Sequence, residues 1–292
     1  MLAQKIATVF NMSKQIFTGK RHYDWGLRAM KAVLNTAGKF FSVEKSNAEA
    51  GGISVDEESK IILNAIRVNT LPKLVSADLA RFLGLLRDVF PGISVMGGSS
   101  GDFEKVVRKV MTAEPFLLDN EDSLVEKVLQ LNAALENRIG CVILGPACSG
   151  KSTLWKILQS SLRLCGQTVT TFGMNPKALS RRQLLGRMDP DTNEWTDGVL
   201  TYAAREVSKE AAEVRAWVIC DGDVDPEWIE SLNSVIDDNR LLTLLNGERF
   251  TFGSNVNFLF ETHDISFASP ATISRMGIIH LGNNVSRQNR CC

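Results

Sequence analysis

The sequence predicts an α/β fold, three α/β/α layers built on an open, mostly parallel sheet, preceded by an α-helical subdomain. Short, wholly apolar runs such as CVILG (141–145) and AWVICD (216–221) read as strands buried on both faces. Helical stretches alternate with such runs from about residue 120 onward. The first 90 residues show helical apolar spacing instead, with polar, Gly-containing interruptions.

Taken in order, residues 1–41 read as helices. In the second, Trp25, Leu27, Met30, Val33 and Leu34 fall at roughly helical spacing and Gly38 is a stop signal. The amphipathic start has no acid before Asp24, as in a presequence, but Ile6, Val9 and Phe10 read as an ordinary helix. SVEKSNAEAGGISVDEES (42–59) reads as a loop. Residues 60–118 continue the helical region and connect it onward, with a break at Pro72, a cap at Ser76 or Asp78, and a second loop at 91–103. The α/β part spans 119–282. It takes a helix up to Gly140, strand 141–145, helix STLWKILQSSLRLCG, strand 168–172, a helix around VLTYAAREVSKE, strand 216–221 and a helix over 226–239 with Pro226 in its first turn. A hairpin with a type I′ turn at Asn246-Gly247 follows, then strands 256–264 and 276–281. Residues 283–292 follow the last strand.

The composition is that of a globular protein: 44% hydrophobic and 23% charged residues, with 33 basic and 33 acidic side chains. Zero formal net charge gives no support for a nucleic-acid coat or a polybasic membrane partner. No apolar run approaches the roughly 20 residues of a spanning helix. The six cysteines show no CxxC or Cys/His ligand spacing and read as reduced thiols of a cytosolic compartment.

The chemistry concentrates in GPACSGKST, 145–153. Gly145-Pro146-Ala147-Cys148-Ser149-Gly150-Lys151-Ser152 fits G-x-x-x-x-G-K-[ST], with a strand before it and a helix after it, Thr153 opening the helix. Gly145 and Gly150 let the backbone curl its N–H groups toward phosphate oxygens, and the helix adds its N-terminal dipole. Lys151 is expected on the β- and γ-phosphates of ATP and Ser152 on Mg²⁺. Asp221, at the end of an apolar strand 70 residues past Lys151, is the expected second holder of Mg²⁺.

ATPases of the AAA+ kind usually follow that Asp with a Glu that activates water; Gly222 stands there instead. By strand alternation Asp223 could return to the face of Asp221, with its carboxylate displaced from the Glu position. The expectation is nucleotide binding with slow or no hydrolysis, against the alternative that Asp223 substitutes fully. Asp264, in the stretch Glu261-Thr262-His263-Asp264, falls where a polar residue senses the γ-phosphate; His263 reads as a hydrogen-bonder. Arg275 in SPATISRMG is either a surface ion-pair partner or an arginine finger for a neighbouring site.

HYDWGLRAMKAVL (22–34), NTLPKLVSADLARFLGLLRDVFPGI (69–93), MNPKALSRRQLLGRMDPDTNEWTDGVLT (174–201), WVICDGDVDPEWIESLNSVIDDNRLLTLLNGERF (217–250) and NFLFETHDISFASPATISRMGII (257–279) together resemble the dynein heavy chains. The likeness is to the cytoplasmic dynein 2 class of intraflagellar transport before the axonemal or dynein 1 classes. It covers most of the chain in order; NNVSRQNRCC after Gly282 departs from it.

The resemblance implies the end of a first AAA+ module (its helical lid at 1–41, continued in 60–118) and the large subdomain of a second. It implies a fragment of a much longer motor ring, a stiffening rather than a fuelling nucleotide, and Mg²⁺ with ATP as cofactors. Arg275 would be a finger given to the first module's ATP and Arg28 that module's sensor. The hairpin 241–252 resembles a pre-sensor insert and part of 185–201 a second-helix insert, both facing the moving linker. Implied partners are neighbouring AAA+ modules of the same heavy chain. Through parts outside this stretch come dynein intermediate and light intermediate chains and microtubules. The implied localisation is cytoplasmic, on the cytoskeleton and in the cilium or flagellum. The runner-up is a free-standing, non-hydrolysing AAA+ nucleotide-binding scaffold; a slow P-loop ATPase using Asp223 is the third reading.

Overall fold

The computed structural model describes residues 2–17, 19–47, 54–93, 101–119, 121–237 and 239–282. They fall into two compact units, Met1–Gly101 and Asp102–Cys292. Both loops predicted at 42–59 and 91–103 lie partly outside the described residues, and the atypical end 283–292 wholly so.

The first unit holds helices α1 (Leu2–Ile16), α2 (Leu27–Asn47), α3 (Val55–Thr70) and α4 (Ser76–Val89). α1 buries Ile6, Val9, Phe10 and Ser13, the face set by its sequence spacing. An aromatic cluster of Phe10, Phe17, Tyr23, Trp25 and Phe82 packs at its centre with ring separations of 5.8–6.4 Å.

Three expectations are corrected in this unit. α2 runs through Gly38 to Asn47, because packing against α3 outweighs the roughly 1 kcal/mol helix cost of a glycine. The loop at 42–59 is therefore trimmed at one end by α2. At the other end α3 starts at Val55 on a capping box: Glu57 N–H donates to Ser54 Oγ (3.3 Å) and Ser54 N–H to Glu57 Oε2 (2.8 Å). Neither Ser76 nor Asp78 caps α4; Val75 stands at the cap, and its N–H donates to Tyr23 Oη (3.0 Å), whose hydroxyl donates to Asp78 (2.8 Å). Burial pushes the Tyr23 hydroxyl well above its ordinary pKa.

The second unit opens with α5 (Gly101–Thr112) and α6 (Asp122–Asn137), and α5 shares a core with the sheet. There follow β1 (Gly140–Leu144), α7 (Lys151–Leu164), β2 (Val169–Met174), α8 (Arg181–Leu185), β3 (Arg187–Met188), β4 (Trp195–Thr196) and α9 (Val199–Val207). Then come β5 (Arg215–Asp221), α10 (Pro226–Ile229), α11 (Asn233–Ile236), β6 (Leu241–Thr243), β7 (Arg249–Thr251), β8 (Val256–Thr262), α12 (Pro270–Arg275) and β9 (Gly277–His280).

The main sheet has the order β2-β5-β8-β1-β9, every pairing parallel. Its strands alternate between two cores. Cys141, Ile143, Trp217, Ile219 and Leu259 pack under α5, α6 and α7. Val142, Leu144, Val218, Cys220, Phe258 and Phe260 pack under α9–α12. That is the predicted three-layer arrangement.

Two local expectations change. The helix over 226–239 is broken into α10, a 3-10 turn and α11, with Asp225 as the N-cap, accepting from Glu227 N–H. The hairpin turn is not type I′. Gly247 has φ +85 but Asn246 does not take positive φ, and Gly247 N–H donates to Leu244 O (3.0 Å) while Leu244 N–H donates to Glu248 O (2.9 Å). The geometry is a three-residue loop closed by a left-handed glycine.

Candidate functional site

The C-terminal ends of β1, β5 and β8 converge on one cavity of about 340 Å³. Ligands of open parallel sheets sit at that edge. Its walls are Cys148, Ser149, Gly150, Lys151, Ser152, Thr153, Asp221 and Glu261, with Leu118 and Leu124 as an apolar side.

The loop geometry follows from residue size and handedness. Gly150 is the N-cap of α7 at φ +84, and Cys148 also turns left-handed at φ +58, so successive N–H groups curl into a nest. A Cβ on Gly145 would lie 2.6 Å from Ser149 Oγ and 2.9 Å from Leu281 O, so only glycine fits there. Lys151 curls back over the loop, its Nζ donating to Gly145 O (3.0 Å) and Pro146 O (2.8 Å). Ser149 Oγ is buried and has no hydrogen-bond partner. An orphaned donor inside a backbone nest, under a lysine ammonium and a helix N-terminus, fits a phosphate chain.

The donor set also fits Mg²⁺ bound between protein and phosphate. Ser152 and Asp221 offer oxygen, and no cluster of three or more His, Cys, Asp or Glu able to cage a metal occurs among the described residues. Mg²⁺ is commonly held by one or two protein oxygens plus phosphate and water.

Of the residues singled out in the sequence, Cys148 through Thr153 and Asp221 meet at the cavity; Gly145, Pro146 and Ala147 form the loop behind it. Asp223 and Asp264 do not line it. β5 ends at Asp221, and Gly222 takes φ +154, which breaks the strand alternation expected to return Asp223 to the face of Asp221. Asp223 instead accepts from Lys177 Nζ (2.7 Å) and lies 3.1 Å from His263 Nδ1. The Lys177 bond holds the Asp223 carboxyl below its ordinary range. Asp264 folds onto Ser266, accepting from its N–H (2.9 Å) and its hydroxyl, and the hydroxyl bond lowers its pKa.

Arg275 ends α12, just before β9. The register Cys141↔Gly277 puts it at the N-terminal edge of the sheet, opposite the phosphate loop. Its Nε donates to Asp237 (3.1 Å) and its Nη1 to Ala271 O (2.9 Å). Arg28 stands exposed in the first turn of α2, in the other unit.

Sequence reasoning missed Glu261. It is 3% exposed, its Oε2 accepts from Ser152 Oγ (2.6 Å) and its Oε1 from Trp155 Nε1 (2.5 Å). Its register partner on β5 is Asp221. The available signal was an acid in the apolar run VNFLFET, facing the i, i+3 pair Ser152 and Trp155.

An open parallel sheet, a phosphate loop between β1 and α7, and an acid ending β5 define a P-loop nucleotide-binding unit of the AAA+ kind. Two family models agree: one described as the hydrolytic ATP binding site of dynein motor region matches residues 1–152, and an AAA domain of the dynein-related subfamily matches 140–276. The chain belongs to the dynein motor-region family. It is 49% identical over 282 residues to cytoplasmic dynein 2 heavy chain 1 of Tripneustes gratilla, covering 97% of this chain and 6% of that one. The proteins of that name in Mus musculus and Homo sapiens are each 47% identical, over 289 and 290 residues, covering 99% of this chain and 7% of theirs. The chain thus spans 6–7% of the length of these relatives. No helix among the described residues is long and apolar enough to cross a membrane.

Proposed function

We propose that this chain is the ATP-holding second AAA+ module of a dynein motor ring, with the lid of the first module before it, and that it retains Mg·ATP with little hydrolysis. The observation that carries the reading is the cavity at the ends of β1, β5 and β8, where Lys151, Ser152 and Asp221 meet below an orphaned Ser149 hydroxyl. The N–H groups of the loop bind phosphate, Lys151 screens its charge, and Leu118 and Leu124 shield one side from water. Ser152 and Asp221 hold Mg²⁺, which when bound offsets the phosphate charge.

Slow turnover follows from what the cavity lacks. Gly222 has no side chain, and Asp223 is committed to Lys177 and His263 outside the cavity. Glu261, inside it, already accepts two donors. None of these carboxylates is poised to take a proton from water beside a γ-phosphate. The position of Arg275 across the sheet from its own phosphate loop supports a role toward a neighbouring module's nucleotide, with Asp237 fixing the guanidinium; Arg28 is proposed as the first module's sensor. In this reading the chain serves minus-end-directed, retrograde intraflagellar transport on microtubules. Its partners are adjacent modules of the same heavy chain and, through other parts of the motor, intermediate and light intermediate chains.

The test is to purify the 292-residue chain, release bound nucleotide with acid and identify it, beside Lys151→Ala. Losing one charged hydrogen-bond donor of this kind weakens binding by about 10- to 100-fold. Co-purifying ATP that disappears in the variant is the expected result; equal affinity in both proteins removes the loop assignment.

A further inference from the structure

Glu261 lies under the phosphate loop in a role that motif matching does not assign. In P-loop sites the hydroxyl of the residue after the lysine ligates the cation and the strand-end Asp supports it. Here the hydroxyl of Ser152 is engaged by the neighbouring strand: Ser152 Oγ donates to Glu261 Oε2 at 2.6 Å. Glu261 Oε1 accepts at 2.5 Å from Trp155 Nε1, which can only donate. Ser152 and Trp155 are one helical turn apart on α7, so one buried carboxylate is clamped by both.

A serine hydroxyl has one proton and two lone pairs. With the proton committed to Glu261, only lone pairs remain for the cavity, and a cation accepts lone pairs. We propose that Glu261 is the positioning residue for the cation at this site: it fixes the polarity of the Ser152 hydroxyl and thereby sets how strongly nucleotide retention depends on Mg²⁺. This rests on the reading of the loop as a Mg-nucleotide site and adds to it a residue on β8.

Glu261→Gln exposes the mechanism. A neutral amide has one acceptor and one donor end. Trp155 can only donate, so it claims the amide oxygen, and the NH₂ then faces Ser152 and takes up a lone pair of its hydroxyl. Shape and burial are preserved; the polarity of the hydroxyl is reversed. Outer-shell changes of this sort typically cost 10- to 100-fold in metal affinity.

The experiment titrates the 292-residue chain with a fluorescent ATP analogue, first in EDTA and then across a Mg²⁺ series, with thermal melting as the fold check. For Glu261→Gln the expected result is affinity in EDTA within about 3-fold of wild type and a Mg²⁺ requirement raised about 10- to 100-fold. Ser152→Ala should raise the requirement too, and the double variant should add nothing, because Glu261 acts through Ser152. If Glu261→Gln does not fold, Glu261→Asp keeps the charge, shortens the reach to Ser152 and is expected to raise the requirement. An unchanged Mg²⁺ requirement in whichever of these folds overturns the inference, as does a shift that adds in full to that of Ser152→Ala. A wild-type chain that binds the analogue in neither condition overturns the nucleotide reading itself, and with it this one.

Discussion

The Lys177 ammonium lies 2.7 Å from Asp223 Oδ2, and in the proposed function this pair keeps the Asp223 carboxylate engaged outside the nucleotide cavity. A carboxylate at that position of the chain is the one replacement the sequence offers for the missing glutamate. The salt bridge, with His263 on the other oxygen at 3.1 Å, engages it outside the cavity that holds Lys151 and Asp221.

Asp223→Asn is therefore expected to leave nucleotide retention and hydrolysis unchanged. Gly222→Glu should not restore an ATPase cheaply. The φ of +154 at Gly222 suits glycine, and a Cβ there would lie 3.2 Å from Asn175 Oδ1. Backbone strain of that type costs about 1–3 kcal/mol, visible as a lower melting temperature. An Asp223→Asn chain with lost turnover contradicts the geometry.

Gly145→Ala probes the loop without touching charge. The added methyl meets Ser149 Oγ at 2.6 Å and Leu281 O at 2.9 Å, and β1 is too tightly held to give way. Nucleotide affinity should fall by at least 10-fold, the consequence of misplacing the N–H cradle by a fraction of an ångström. Equilibrium binding checks it, and the lysine and hydroxyl remain in place as internal controls.

Arg275→Ala should leave the chain's own nucleotide affinity unchanged, since the residue lies across the sheet from the loop. It should lower stability by about 1 kcal/mol through loss of the Asp237 pair, which is only partly exposed. A large fall in nucleotide affinity in this variant contradicts the placement.

Arg205 predicts an acid sensitivity. Its guanidinium reaches Asp197 (2.9 Å) and Glu248 (2.6 Å), and its hydrogen bonds hold both carboxyls below their ordinary range. A depressed folded-state pKa stabilises the fold above the unfolded value, near 4, and that stability is lost as pH falls through the folded values. Melting temperature should drop as pH goes from about 5 to about 3. Arg205→Gln should lie lower at neutral pH and lose part of that slope; melting curves across pH check both.

What the sequence revealed depended on how local each signal was. The apolar runs 141–145 and 216–221 and the spacing of GPACSGKS are local, and the strands and the cavity they predict are in place. Gly38 failed as a stop because tertiary packing on α3 overrode a propensity cost, and the Asn246-Gly247 turn type changed because one extra residue, Leu245, entered the loop. The place of Asp223 was not legible because a single left-handed glycine, Gly222, interrupts the alternation after Asp221. Glu261 was missed because its meaning rests on contacts 106 and 109 residues away.

The central claim is that the loop stores a nucleotide rather than consuming it, and single-turnover hydrolysis tests it most directly. The chain, stripped of nucleotide, is mixed with substoichiometric radiolabelled Mg·ATP, and bound ATP and ADP are followed over hours. Label that stays bound as ATP, with loss of binding in Lys151→Ala, is the result the account predicts. Steady conversion of the bound label to ADP, abolished by Asp223→Asn or Glu261→Gln, contradicts it and makes the unit an ATPase in its own right.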